Sequence, residues 1–248
     1  SGSPLAVSPV MQKAASAANT PENYEGKPMW VYNQRNTWHG LDFLYNSNMT
    51  MQEYLRYYYS TLSAVDDSVA RIMAYLEANN LEKDTLVVLW SDHGWHLGEK
   101  RHWAKRSLWE EATRVPLILA GPGLAKGNCS QPVGLIDLYP TLTELCGLAK
   151  PPQSLEGHSL VPLLGKPGAA WSHPAITTFH QNDHTVRTGR WRYIRYANGD
   201  EELYDCSADP HEWINLAAKL EHRGTLAQLR LHLPKVNAVD APVRASGR

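Results

Sequence analysis

Apolar residues recur at three- and four-residue spacing through Leu55, Tyr59, Leu62, Val65, Val69, Ile72 and Leu76, the period of one face of an α-helix. Just before the run, Thr50-Met51-Gln52-Glu53 has the form of a capping box, whose hydroxyl and carboxylate satisfy backbone N–H groups at a helix start. The pattern predicts a long amphipathic helix ending near Asn80. The period then changes. Thr85-Leu86-Val87-Val88-Leu89-Trp90 is an unbroken apolar run, as expected of a strand covered on both faces of a sheet. Pro116-Leu117-Ile118-Leu119-Ala120 predicts a second short strand closed by Gly121-Pro122-Gly123, and Leu138 to Leu145 a helix with Gly147 as its stop.

Further along, Pro151-Pro152, Gly165 and Pro167-Gly168 punctuate a linker region. Trp191 to Tyr196 and Glu202-Leu203-Tyr204 then read as a hairpin around Asn198-Gly199, part of a small antiparallel sheet. Leu216, Leu220, Leu226, Leu229 and Leu233 predict a terminal helix packed on that sheet and ended by Pro234. Strand, helix and strand in alternation make an α/β layer. Residues 1–27 are rich in Ser, Ala, Pro and Asn without periodicity and read as a flexible or loosely packed segment. The expected organisation is therefore that segment, an α/β part over residues 28–165, and an antiparallel-sheet and helix subdomain over 166–248.

Composition narrows the function classes. With 248 residues, 43% hydrophobic and 20% charged, the chain can build one sizeable domain or a domain and a half. A net charge of −1 gives no footprint for nucleic acid. No run approaches the roughly 20 apolar residues of a membrane span. The three cysteines, Cys129, Cys146 and Cys206, have the spacing of neither a zinc site nor a disulfide scaffold.

Candidate chemistry begins where the first strand ends, at Ser91-Asp92-His93-Gly94. Ligands of open α/β sheets gather outside the carboxyl ends of strands, and a carboxylate beside an imidazole can hold a divalent cation against an anionic substrate. The bland reading is a helix cap and a core histidine. Nearby, His96 and His102 flank the same loop, and a neutral imidazole there can donate to and accept from the hydroxyls or leaving oxygen of a bound substrate. Trp95, Trp103 and Trp109 can form a stacking wall for a substrate or pack on the next helix. Arg114 has the helical spacing to brace Glu110 or Glu111.

The window from Asp92-His93-Gly94-Trp95-His96-Leu97-Gly98-Glu99 through Trp103-Ala104-Lys105-Arg106-Ser107 to Gly121-Pro122-Gly123 resembles the sulfatases, within the alkaline phosphatase superfamily. More narrowly it is similar to the branch that includes iduronate-2-sulfatase. Gly134 to Leu142, Val186 to Ile194, Glu202 to Asp205, Asp209 to Glu212 and Asn215-Leu216 fit the same resemblance, in order, from about Tyr54 to Ala217. The resemblance implies an α/β fold with a mixed sheet flanked by helices, here partial, and a small C-terminal antiparallel-sheet and helix subdomain. It implies hydrolysis of sulfate esters of a sugar or similar alcohol, with Asp92 and His93 as Ca2+ ligands and Lys105 on the sulfate as the catalytic contact. The segment that follows His184 borders the substrate pocket in that family, which makes His184 a candidate substrate contact.

One departure matters more than these agreements. The family's nucleophile motif, Cys-x-Pro-x-Arg with a cysteine modified to formylglycine, or a Ser equivalent, is absent, and so are the paired acidic ligands that precede it. The chain reads as the metal-bearing C-terminal half of a sulfatase whose partner is the N-terminal half of the catalytic domain. A periplasmic, extracellular or lysosomal location follows from the resemblance. The alternatives are a phosphodiester or phosphonate hydrolase or phosphoryl transferase of the same superfamily, or an inactive remnant.

Overall fold

The computed structural model describes residues 50–239, apart from the side chains of Met51, Arg101 and Trp103. The reading of residues 1–27 as a loose segment lies outside the described residues. Two compact units emerge, one from residues 50–105 and 114–127, the other from 106–113 and 128–239.

In the first unit, α1 spans Met51–Ala78 and starts as its sequence dictates. Thr50 Oγ1 accepts the Glu53 N–H at 3.2 Å, and Glu53 Oε2 accepts the Thr50 N–H at 2.8 Å. Asn79 caps the other end, and Asn80 turns left-handed at φ 55°. The helical period holds, but Leu62, Val65 and Ile72 of the apolar stripe are 48%, 54% and 59% exposed. β1 (Val87–Trp90) pairs antiparallel with β4 (Leu117–Ala120), in the register Val87↔Ala120 to Trp90↔Leu117. A strand covered on both faces was expected at β1, yet Trp90 is exposed. A two-stranded ribbon has too little surface to cover both faces of its own strands, and among the described residues these two strands form a sheet of that size. Between them lies a tight hairpin, β2 (His96–Leu97) and β3 (Trp103–Ala104), closed over a 3-10 turn at Glu99–Arg101.

The second unit is built on a four-stranded antiparallel sheet in chain order: β5 (Ala175–Thr178), β6 (His184–Arg187), β7 (Trp191–Arg195) and β8 (Glu201–Asp205). The hairpin between β7 and β8 turns at Gly199, whose φ of 91° favours glycine. Val186, Tyr193 and Leu203 on one face pack against Leu226 and Leu229 of α5 (Arg223–Arg230). Fully burying each of those leucines stabilises the fold by about 1.5–3 kcal/mol. The helix expected from Leu216 begins seven residues later because the intervening chain serves the sheet. Leu216 donates its N–H to the Leu203 carbonyl at 2.8 Å, and Asn215 Oδ1 accepts the Leu203 N–H at 2.9 Å.

The remainder of this unit is α2 (Glu110–Thr113), α3 (Leu138–Leu145) and α4 (Val161–Gly165). α3 has the span its sequence predicts, with Gly147 left-handed at φ 61° beyond it. Buried Asp137, just before α3, accepts the N–H groups of Gly134 and His158, each at 2.8 Å. Gly157 lies so close to the Ile136 carbonyl that any β-carbon there would clash with backbone.

Candidate active site

β1 delivers the chain to Ser91, whose hydroxyl donates to the His93 carbonyl at 2.8 Å and closes a local turn. That turn lifts Asp92 into solvent, its side chain 82% exposed, and swings His93 back into a half-buried position. His93 Nδ1 lies 2.9 Å from the Gly94 carbonyl oxygen. A carbonyl only accepts, so Nδ1 carries the proton and Nε2 keeps its lone pair. Nε2 in turn lies 3.5 Å from Asp92 Oδ2 and 2.9 Å from Lys105 Nζ. Carboxylate, basic imidazole nitrogen and ammonium therefore meet in one place, brought together from the end of β1 and the exit of β3.

Trp95 backs this group. Its Nε1–H donates to the Tyr54 hydroxyl at 3.1 Å, its ring stacks on Tyr58 at 6.4 Å between centroids, and the His93 ring lies 6.2 Å away. The loop is thereby tied to the first two turns of α1. Lys105 itself sits between two non-glycine residues of left-handed backbone, Ala104 at φ 66° and Arg106 at φ 70°. Each such conformation costs on the order of 1 kcal/mol and persists only where its surroundings hold it.

His96 is fully buried and stands edge-on to His102, with centroids 4.7 Å apart. His102 Nε2 lies 3.0 Å from the Lys105 carbonyl oxygen. His184 belongs to the second unit, where it is buried on β6. Its Nε2 donates to Asn237 Oδ1, and its Nδ1 accepts the Thr178 hydroxyl at 2.8 Å. Trp109 is 1% exposed and donates Nε1–H to Glu202 Oε2 at 2.8 Å, so it packs. The Trp103 side chain lies outside the described residues.

A charge network in the second unit was not foreseen. Buried Arg192 on β7 pairs with Glu110 and with Glu212, and also donates to the Leu108 carbonyl at 3.1 Å and the Thr185 hydroxyl at 3.0 Å. Arg187 reaches Glu110 at 3.2 Å. Burial acts to raise the Glu110 carboxyl, but the Arg192 and Arg187 guanidiniums outweigh it and hold the group below its ordinary range. Burial, with Glu212 beside it, pushes the Cys206 thiol up to about 11. The three cysteines are free.

Whether these residues suit a metal ion can be judged from the donors. A carboxylate oxygen and an imidazole lone pair 3.5 Å apart are close enough to share one cation. The Nδ1–H bond to Gly94 fixes the ring as it is fixed in metal-bound histidines. Two donors nonetheless make only part of the six to eight that a calcium ion takes, as a rough guide. Among the described residues no group of three or more His, Cys, Asp or Glu is arranged to hold a metal. Asp92 and His93 thus fit as one edge of a cation site.

Family models match the chain twice: "Sulfatase" over residues 9–148, and "N-sulphoglucosamine sulphohydrolase, C-terminal" over residues 98–239. A sulfatase of Formosa agariphila is 43% identical over 182 residues, which cover 73% of this chain and 36% of that protein. Among solved structures, one in complex with its substrate D-glucosamine-2-N,6-O-disulfate superposes with a TM-score of 0.65 at 28% identity, covering 82% of this chain and 43% of the other. A phosphonate monoester hydrolase of Silicibacter pomeroyi superposes at a TM-score of 0.59 and 26% identity, over 67% of this chain and 37% of that one. An α/β fold bearing a strand-end Asp-His pair, together with both family matches, places the chain in a class: it belongs to the sulfatase family. It spans roughly two fifths of the length of the relatives it matches.

Proposed function

We propose that this chain is the C-terminal, metal-bearing part of an enzyme that hydrolyses sulfate esters of a sugar or similar alcohol. The observation that carries the reading is the convergence of Asp92, His93 and Lys105, with Lys105 Nζ 2.9 Å from His93 Nε2. A sulfate monoester is an anion whose non-bridging oxygens gather charge as the S–O bond breaks, so a fixed ammonium lowers the barrier. Lys105 supplies that charge and, once the ester is bound, turns from His93 to a sulfate oxygen. Asp92 and His93 Nε2 hold Ca2+, which when bound supplies further positive charge to the sulfate. The nucleophile and the remaining metal ligands belong to the N-terminal half of the catalytic domain.

The exposed stripe of α1 and the open faces of β1 and β4 take the N-terminal half of the catalytic domain as their cover. Sulfated carbohydrate is the favoured substrate class, because a disulfated glucosamine occupies one structural relative. The likeness to a phosphonate monoester hydrolase makes phosphonate or phosphodiester hydrolysis the second reading. Export to the periplasm, the lysosome or the cell exterior belongs to the proposal. Among the described residues no helix is long and apolar enough to cross a membrane.

The test uses the full-length protein. Asp92→Ala is expected to abolish stabilisation by calcium in a thermal melt. Lys105→Ala is expected to keep that stabilisation while cutting aryl-sulfate turnover by at least about a hundredfold, as for loss of one charge-stabilising donor. Equal activity of Lys105→Ala and wild type overturns the reading.

A further inference from the structure

The hairpin that leads to Lys105 is held more tightly than its length requires. β2 and β3 pair in the register His96↔Ala104 and Leu97↔Trp103. At its closed end, His102 donates its N–H to the Glu99 carbonyl at 2.9 Å and accepts the Gly98 N–H on its own carbonyl at 3.1 Å. The His102 backbone is therefore fixed from both sides. Its ring stands edge-on, at 76°, to the fully buried ring of His96, which forms a rigid wall. From this seat Nε2 lies 3.0 Å from the Lys105 carbonyl oxygen, and because that oxygen only accepts, Nε2 carries the hydrogen.

The carbonyl in question belongs to the peptide joining Lys105 to Arg106, with left-handed Ala104 and Arg106 on either side of Lys105. Unheld, such residues relax to extended or right-handed backbone, which would redirect the lysine stem. We propose that His102 is a positioning residue for Lys105: its imidazole clamps the Lys105 carbonyl and so keeps Nζ beside His93. The inference rests on Lys105 being the sulfate contact. His102 then acts on the reaction only through Lys105 and touches no substrate.

Four variants of the full-length enzyme test this with an aryl sulfate ester: His102→Ala, His102→Gln, Lys105→Ala and the His102→Ala/Lys105→Ala double variant. His102→Ala is expected to lower kcat by about 10- to 100-fold with KM nearly unchanged, the scale of a small misplacement of a catalytic group. His102→Gln, whose amide N–H can replace the imidazole donor, is expected to recover most of that loss. The double variant is expected to be no slower than Lys105→Ala, because the two residues act as one unit. Independently of turnover, the imidazole 15N resonances of His102 are expected to show a protonated Nε2 in wild type and Lys105→Ala alike.

Wild-type turnover in His102→Ala, an unprotonated Nε2, or a loss that Gln does not restore overturns the positioning role and leaves the Lys105 assignment standing. Additive losses in the double variant overturn it in favour of direct contact with substrate. Full activity of Lys105→Ala removes the reading beneath it and the inference together.

Discussion

His93 has two ring nitrogens with different partners, and that asymmetry organises the site. The Gly94 carbonyl accepts the Nδ1–H, leaving Nε2 to face both Asp92 and Lys105. A ring free to flip would offer either nitrogen and would blur the distinction between ligand and hydrogen-bond donor. Asp92 and His93 were weak candidates as a strand-end pair, since short tripeptides recur by chance, and the window around them carried the resemblance. Their approach to Lys105, twelve residues away through a hairpin, was legible only from the family resemblance. At the same scale, the thiols differ sharply. Cys129 and Cys146 are exposed, whereas burial and Glu212 raise Cys206 to about 11. A thiol reagent at pH 7.5 is therefore expected to label two cysteines rapidly and Cys206 slowly in the native protein, since the thiolate is the reactive form. Equal rates at all three, followed by mass spectrometry, would contradict the burial of Cys206.

Between elements, the anchor of the second unit is Arg192, which joins β7 to the segment of Leu108 and Glu110 and to Glu212. Removing one partner of a buried ion pair leaves an uncompensated charge. Arg192→Ala is accordingly expected to destabilise this unit by about 3–5 kcal/mol in urea unfolding. A change under about 1 kcal/mol would show the network to be ornamental. Acid weakens the same contacts. The folded-state value of Glu110 lies below its ordinary 4.5, so the unfolded chain binds the extra proton. The stability that Glu110 supplies is fully present above pH 4.5 and is lost as pH falls through the lowered value. The difference in unfolding free energy between wild type and Glu110→Gln should stay constant from pH 8 to pH 5 and shrink below that. A gap that widened on acidification would reverse the sign and sink the account.

None of this network was visible in local spacing. Glu110 meets Arg187 and Arg192, 77 and 82 residues further on. Only tertiary pairing supplies such partners. The elements themselves followed their sequence signals closely where the signal was chemical: the Thr50 capping box, the Asn198-Gly199 turn and the Gly147 stop. The late start of α5 arose because the partner of Leu216 is a strand, β8. An apolar run says that a face is to be covered, but not by what.

On the scale of the molecule, the exposed surface is uneven. Tyr57, Leu62, Val65, Ile72 and Tyr75 along α1, with Trp90 and Ile118 on the two-stranded ribbon, are large apolar side chains 48–63% exposed, except that each belongs to an element built to pack. Large apolar side chains left open on packing elements suit a surface that takes a cover. Residues 50–239 expressed alone should therefore self-associate, with a sedimentation profile that shifts with concentration and an unpaired ribbon edge as the point of contact. A stable, cooperatively unfolding monomer would contradict the proposed cover. The central claim is the calcium-dependent hydrolysis of a sulfate ester. It is tested most directly by following an aryl sulfate and a phosphonate monoester side by side in the full-length protein, before and after chelation. The sulfate ester is expected to be cleaved preferentially, with activity lost to the chelator and restored by calcium. Preference for the phosphonate, or sulfate cleavage indifferent to chelation, would contradict it.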